Sequence, residues 1–132
     1  MTFKINKIAF NIFLLLIISC SKTKNDVYND LKGNWAISKI IYNDLNYKDT
    51  IYSMNVINIQ EDYNLSLPEV GNYKKDEIAK WGFNYENGLI TFTIKSENKI
   101  FRGVYSALFL ETDTIDKLIL KSKNTYLELH KL

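Results

Sequence analysis

Two runs of alternating apolar and polar residues, Trp81–Glu86 and Leu89–Lys95, are separated by the dipeptide Asn87-Gly88. Asn-Gly supplies the two positive φ angles of a type I′ turn, whose twist matches that of the strands it joins. In the first run Trp81, Phe83 and Tyr85 share one face; in the second Ile90, Phe92 and Ile94 do. A strand with one apolar and one polar face belongs to an antiparallel sheet wrapped around a core. Leu127 and Leu129, alternating with Tyr126, Glu128 and His130, repeat the pattern.

From Trp35 onward, short β-type runs alternate with turn clusters. Strands are expected near 34–43, 50–60, 63–67, 78–86, 89–95, 100–111, 116–122 and 125–131, with polar links at Ser96–Lys99, Thr112–Asp116 and Ser122–Asn124. Residues 100–110 are apolar on both parities, which places them centrally or beneath another element. Only Asn25–Lys32 and Tyr73–Ala79 have local helical character. Eight sequential strands with short links leave two raw edges unless the sheet closes. The expected fold is therefore all-β, a small eight-stranded antiparallel up-and-down barrel.

The N-terminal segment has a different grammar. Lys4 and Lys7 precede an apolar stretch, Ile8–Ile18, broken only by Asn11. That is about the length of a secretory h-region and short of the ~20 residues that span a bilayer. Leu16-Ile17-Ile18-Ser19-Cys20 resembles the lipobox of bacterial lipoprotein precursors, with isoleucine where leucine is commoner before the small residue and the cysteine. The resemblance implies cleavage before Cys20 and lipid on its thiol. Several acyl chains on one residue meet the requirement of stable anchoring for more than one. The competing readings are a buried thiol at the end of an uncleaved anchor, or an unpaired thiol in a secreted protein. A lone cysteine suits neither well, because oxidising compartments favour pairs or none. The expected organisation is a signal peptide over 1–19, a lipidated tether over 20–29 and one domain over 30–132. Ser21 after the cysteine resembles the enteric pattern that sends lipoproteins to the outer membrane, so a lipid-anchored place in the cell envelope is expected.

Removing residues 1–19 takes away two lysines and no acid, which balances the 17 basic and 15 acidic side chains of the whole sequence. A neutral domain lacks the basic face that nucleic acid demands. The abundance of Asn, Lys, Ile and Tyr suits an AT-rich genome and gives no role to each.

Leu31-Lys32-Gly33-Asn34-Trp35 resembles the Leu-x-Gly-x-Trp opening of lipocalin-like domains. Leu65-Ser66-Leu67-Pro68, Trp81-Gly82-Phe83, Phe101-Arg102-Gly103-Val104-Tyr105 and a Leu-rich final pair of strands extend the likeness over roughly 30–132. Small lipoproteins of this kind are frequent in Bacteroidetes-type bacteria. The resemblance implies a barrel whose tryptophan plugs the closed end. A basic residue near the last strand that would stack on it has no clear equivalent, since Arg102, the only arginine, lies in another strand.

Catalytic motifs are absent from the sequence, and no enzyme activity or cofactor is expected. His130, the only histidine, falls on the polar parity of its strand; a Ser–His–Asp triad would need it turned inward. With Cys20 lipidated, no Cys–His or zinc site assembles. Glu61-Asp62, Asp76-Glu77 and Asp113…Asp116 lie in turns and loops as solvated charge, and the last lacks the ligand series of a calcium loop.

Two functions remain. In the first, the tethered barrel takes a small apolar ligand into its mouth, with Trp81, Phe83, Tyr85, Phe92 and Tyr105 as the lining. Eight strands enclose just enough room for one small ligand or for the side chains themselves. In the second, the barrel is filled and the outer surface meets an envelope protein, as an inhibitor, immunity factor or assembly partner. Tyr28, Tyr42, Tyr47, Tyr52, Tyr63 and Tyr73, near strand ends and loops, would serve recognition. An enclosed cavity separates the first from the second.

Overall fold

A computed structural model describes residues 22–51 and 54–132. The expected signal peptide over 1–19, Cys20 and Tyr52 lie outside the described residues. The order is α1 (Lys24–Leu31), β1 (Gly33–Tyr42), β2 (Leu45–Asn46), β3 (Val56–Ile59), β4 (Asn64–Leu67), β5 (Asp76–Glu86), β6 (Leu89–Lys95), β7 (Gly103–Leu110), β8 (Lys117–Lys121) and β9 (Thr125–Lys131).

Every neighbouring pair is antiparallel, and β9 returns to β1 to close an eight-stranded barrel with β2 as an extra strand. The closing seam runs from Trp35 opposite Lys131 to Tyr42 opposite Thr125, with a bulge at Ser38. Closure leaves no long edge for another chain to extend. Asn87 and Gly88 have φ of 53° and 77°, as the hairpin reading requires. Asn43 and Asp44, at 49° and 65°, make a second tight turn, from which β2 folds back on the end of β1.

Of the two segments with helical character, Asn25–Lys32 is helix, over Lys24–Leu31, and takes up most of the expected tether: the Thr23 hydroxyl accepts from the Asp26 amide at 3.1 Å, and the Asp26 carboxylate accepts from the Thr23 amide at 3.0 Å. This reciprocal cap satisfies two orphan donors, and Val27 and Leu31, one turn apart, bury the inner face. Val27 and Leu31 join the core cluster of the barrel. Tyr73–Ala79 is not helical; β5 starts within it, at Asp76.

The core is continuous through the barrel. Its lower layer holds Trp35, Leu118 and Leu129 at the end covered by α1; Ile100, Phe101 and Val70 are buried in the links at the far end. The outer parity of β7 answers the question posed by residues 100–110. Ile100 and Phe101 are buried before the strand begins, whereas Val104, Leu108 and Leu110 point outward and are exposed.

Gly33 enters β1 with φ of 131°, a conformation that disfavours side chains. Just past it Trp35 is fully buried, and its indole N–H donates to the Leu31 carbonyl at 2.9 Å. The basic partner that the sequence left unplaced is Lys131. Its ammonium lies 5.4 Å from the centre of the Trp35 ring. Arg102 has no such contact with Trp35.

Candidate functional site

Of the five residues expected to line the barrel mouth, Phe83 lines one cleft and Tyr85 another, both beside α1. Trp81, Phe92 and Tyr105 are buried, while Phe83 and Tyr85 are half-buried toward the end near α1. Trp81 and Phe92 stack at 5.5 Å and 16°. The Tyr105 hydroxyl donates to the Phe101 carbonyl, and the Thr125 hydroxyl donates to the Ile100 carbonyl at 2.6 Å. Two inward side chains therefore hold the 96–102 link down as a plug. Ser96 adds a bond to Asp76 at 2.6 Å from the same link. Burial pushes the Tyr105 phenol up to about 12, since the phenolate has no water to solvate it.

The accessible aromatic surface lies at the end of the barrel beside α1, where the inward face of β5 meets the helix. Trp81 is its hub. Its indole N–H donates to the Gln60 carbonyl at 2.9 Å, which fixes the ring. Around it stand Tyr63 at 5.2 Å, Tyr28 at 5.6 Å and Phe83 at 5.9 Å between ring centres. Offset and tilted pairs of this kind are each worth about 0.5–1.5 kcal/mol beyond their burial. Three elements converge here: α1 brings Tyr28, β5 brings Trp81 and Phe83, and the β3–β4 link brings Tyr63.

That link is unusual. Asp62 and Tyr63 are adjacent residues with φ of 56° and 61°, and neither is glycine. Left-handed conformations of bulky residues are uncommon and persist only where surroundings hold them. Here the Asp62 amide donates to the Tyr28 hydroxyl at 3.3 Å, and the Tyr63 ring leans on Trp81. The link turns back on itself and leaves Tyr63 45% exposed.

Tyr28, Tyr63 and Phe83 with Lys24, Asn25 and Asp62 line an open cleft of about 440 Å³. Lys24 stands 5.7 Å over Phe83, and Lys32 stands 4.9 Å over Tyr28 while pairing with Glu61 at 3.2 Å. The cleft thus offers flat apolar faces inside a rim with a cation, a carboxylate and an amide. It suits stacking of a planar group and hydrogen bonding of its polar edge. A second, smaller cleft of about 200 Å³ lies on the other side of α1, between Lys22, Val27 and Leu31 and the Tyr85–Ile90–Ala107–Phe109 rim. Lys22 pairs there with Asp30 at 2.7 Å, a hydrogen bond that raises the lysine above its ordinary value.

Other sequence candidates are dispersed. His130 is half-buried on the outside of the barrel, with Nδ1 2.6 Å from the hydroxyl of Ser38 in the β1 bulge. No carboxylate is hydrogen-bonded to that ring among the described residues. Asp76 serves the plug, Glu61 and Glu77 pair with lysines, and Asp62 belongs to the aromatic cleft. No group of three or more His, Cys, Asp or Glu fit for a metal occurs among the described residues. No described helix is long and apolar enough to cross a membrane.

Comparison with known proteins returns nothing to add. No family model, curated protein or solved structure matches the chain.

Tyr28 and Tyr63 were legible only as tyrosines near strand ends. The signal for the cleft was the position of Tyr28, next to Val27 and three residues before Leu31, which sets its ring at the border of the buried helix face.

Proposed function

We propose that this chain is a lipocalin-like lipoprotein, held at the cell envelope by lipid on Cys20, that recognises its ligand at the end of its barrel beside α1. The recognition element is the Tyr28–Tyr63–Phe83 cleft, and its ligand carries a flat apolar face with polar edges. The observation that carries this reading is the ring cluster itself: three accessible aromatic rings packed on Trp81, one of them, Tyr63, presented by a left-handed backbone. The burial of Trp81, Phe92 and Tyr105 favours this end over the depth of the barrel. Exposed rings beside charged groups equally suit a planar small molecule or an aromatic side chain of an envelope protein. The anchor reading rests on the lipobox resemblance, the length of the apolar stretch and the single cysteine.

Titration with a water-soluble naphthyl glycoside tests the cleft through energy transfer from Trp81. Tyr63→Ala is expected to weaken binding about threefold to tenfold, the size of one aromatic contact. Unchanged binding in that variant would remove the cleft from the account. The intact mass of membrane-extracted protein tests the anchor. It should match residues 20–132 with a diacylglyceryl group and an acyl chain, whereas an unmodified full-length mass contradicts it.

A further inference from the structure

We propose that the barrel rests on the bilayer through the end near α1, with Leu89, Leu108 and Leu110 as the contacting side chains. The inference builds on the reading of Cys20 as the lipid-bearing residue. It adds which face of the domain the anchor draws against the membrane.

The geometry starts from Lys22, whose ammonium lies 4.7 Å over the Phe109 ring and 2.7 Å from Asp30. One residue, Ser21, separates it from Cys20, and an extended chain covers at most about 3.6 Å per step, so two steps reach roughly 7 Å. A lipid on Cys20 therefore enters the bilayer within a short reach of Phe109, and the domain has little slack to swing away.

The surface next to that point is apolar. Leu89, beside the Asn87-Gly88 turn, is 74% exposed, and Leu108 and Leu110 on β7 are 53% and 38% exposed. Ile90 pairs with Ala107 and Leu108 with Ile119, so one step along the register brings Leu89 beside Leu108. The outer faces of β6, β7 and β8 thus form one strip there, and Leu108 and Gly88 also line the cleft that holds Lys22. Leu45, Met54 and Ile78 are exposed elsewhere on the domain. Isolated apolar residues are ordinary on a protein surface, whereas a joined group marks an interaction site.

A bilayer is the occupant these facts favour over a protein partner, because the lipid must lie beside the strip. Glu86 and Glu111 border it, and Lys22 is already paired with Asp30. The contact is therefore apolar in origin and requires no anionic lipid.

The test uses the full chain, lipidated in a bacterial host and reconstituted into phosphatidylcholine vesicles with brominated acyl chains. Trp35 and Trp81 are buried, and the parent protein gives their background. Leu108→Trp adds a reporter on the strip; Lys123→Trp adds one in the β8–β9 link at the opposite end. Loss of most of the added emission at position 108, with the emission at 123 retained, is the expected result. Equal quenching at both positions, or none at 108, in protein whose mass includes the lipid would overturn this orientation and leave the anchor standing. An unlipidated mass with no flotation on the vesicles would overturn both.

Discussion

The ammonium of Lys131 lies 5.4 Å from the centre of the Trp35 ring and donates to the Asp30 carbonyl at 3.2 Å, so the last strand, the first strand and the helix meet at one cation. The Trp35 N–H completes the junction through Leu31. Lys131→Met keeps the aliphatic stem and removes the charge; it should lower stability by about 1 kcal/mol, and chemical denaturation would measure it. Trp35→Ala should cost about 3–5 kcal/mol, since it empties a fully buried site.

Gly33 sits beneath the same junction. A Cβ there would come 3.0 Å from Lys131 Cε, on a backbone with φ of 131°. Gly33→Ala should destabilise by about 1–3 kcal/mol. Because the lysine end is flexible, most of that loss comes from the backbone and should persist in the Gly33→Ala/Lys131→Ala double variant. Recovery of full stability in the double variant would assign the cost to the side-chain contact instead.

Much of this junction was legible in the sequence. Lys131 continues the inward parity of Leu127 and Leu129, so a basic residue at the inner end of the final strand could be read directly. The strand pattern and the Asn87-Gly88 turn survived because alternation and turn chemistry are local properties. The helix over Lys24–Leu31 was harder to delimit. Its cap, Thr23-x-x-Asp26, lies in a segment whose polarity suits a tether, although Val27 and Leu31 carry helical spacing. The position of the aromatic cleft depends on long-range contacts. Tyr28 and Tyr63 are separated by 35 positions in the sequence numbering, and only closure of the barrel brings their rings to 5.6 Å.

Tyr105 predicts an alkaline transition. Burial raises its folded pKa to about 12, above the ordinary value of 10. Its contribution is therefore fully present below pH 10 and is lost as pH rises from about 10 through about 12, on the order of 2–3 kcal/mol. Tyr105→Phe removes the bond to the Phe101 carbonyl at every pH, and it should also flatten the loss of stability in that window. Melting temperatures measured across pH 9–12 at roughly unit intervals would read both effects.

The cap of α1 makes an acid-side prediction. The backbone hydrogen bond from Thr23, then that of its side chain, holds the Asp26 carboxyl below its ordinary value. The associated stability is present above the unfolded pKa and lost as pH falls through the folded one. Thr23→Ala should destabilise the helix by about 1 kcal/mol near neutrality. Hydrogen exchange of the α1 amides would register that loss as faster opening.

Strain in the β3–β4 link gives the opposite sign. Asp62→Gly suits the φ of 56° and keeps the backbone donor to Tyr28, so stability should hold or rise by up to about 1 kcal/mol. Binding at the cleft should nevertheless weaken, because the carboxylate at its rim is gone and Tyr63 is less firmly held. A denaturation curve paired with the naphthyl glycoside titration would separate the two effects.

The most direct measurement of where this protein recognises a ligand is photo-crosslinking with a diazirine derivative of the same naphthyl glycoside, followed by peptide mapping. The account predicts adducts on Lys24–Tyr28, on Asp62 and Tyr63, and around Phe83, with competition by the unmodified probe. Adducts on Phe92, Ile94 or Tyr105, competed in the same way, would put the ligand inside the barrel and contradict it.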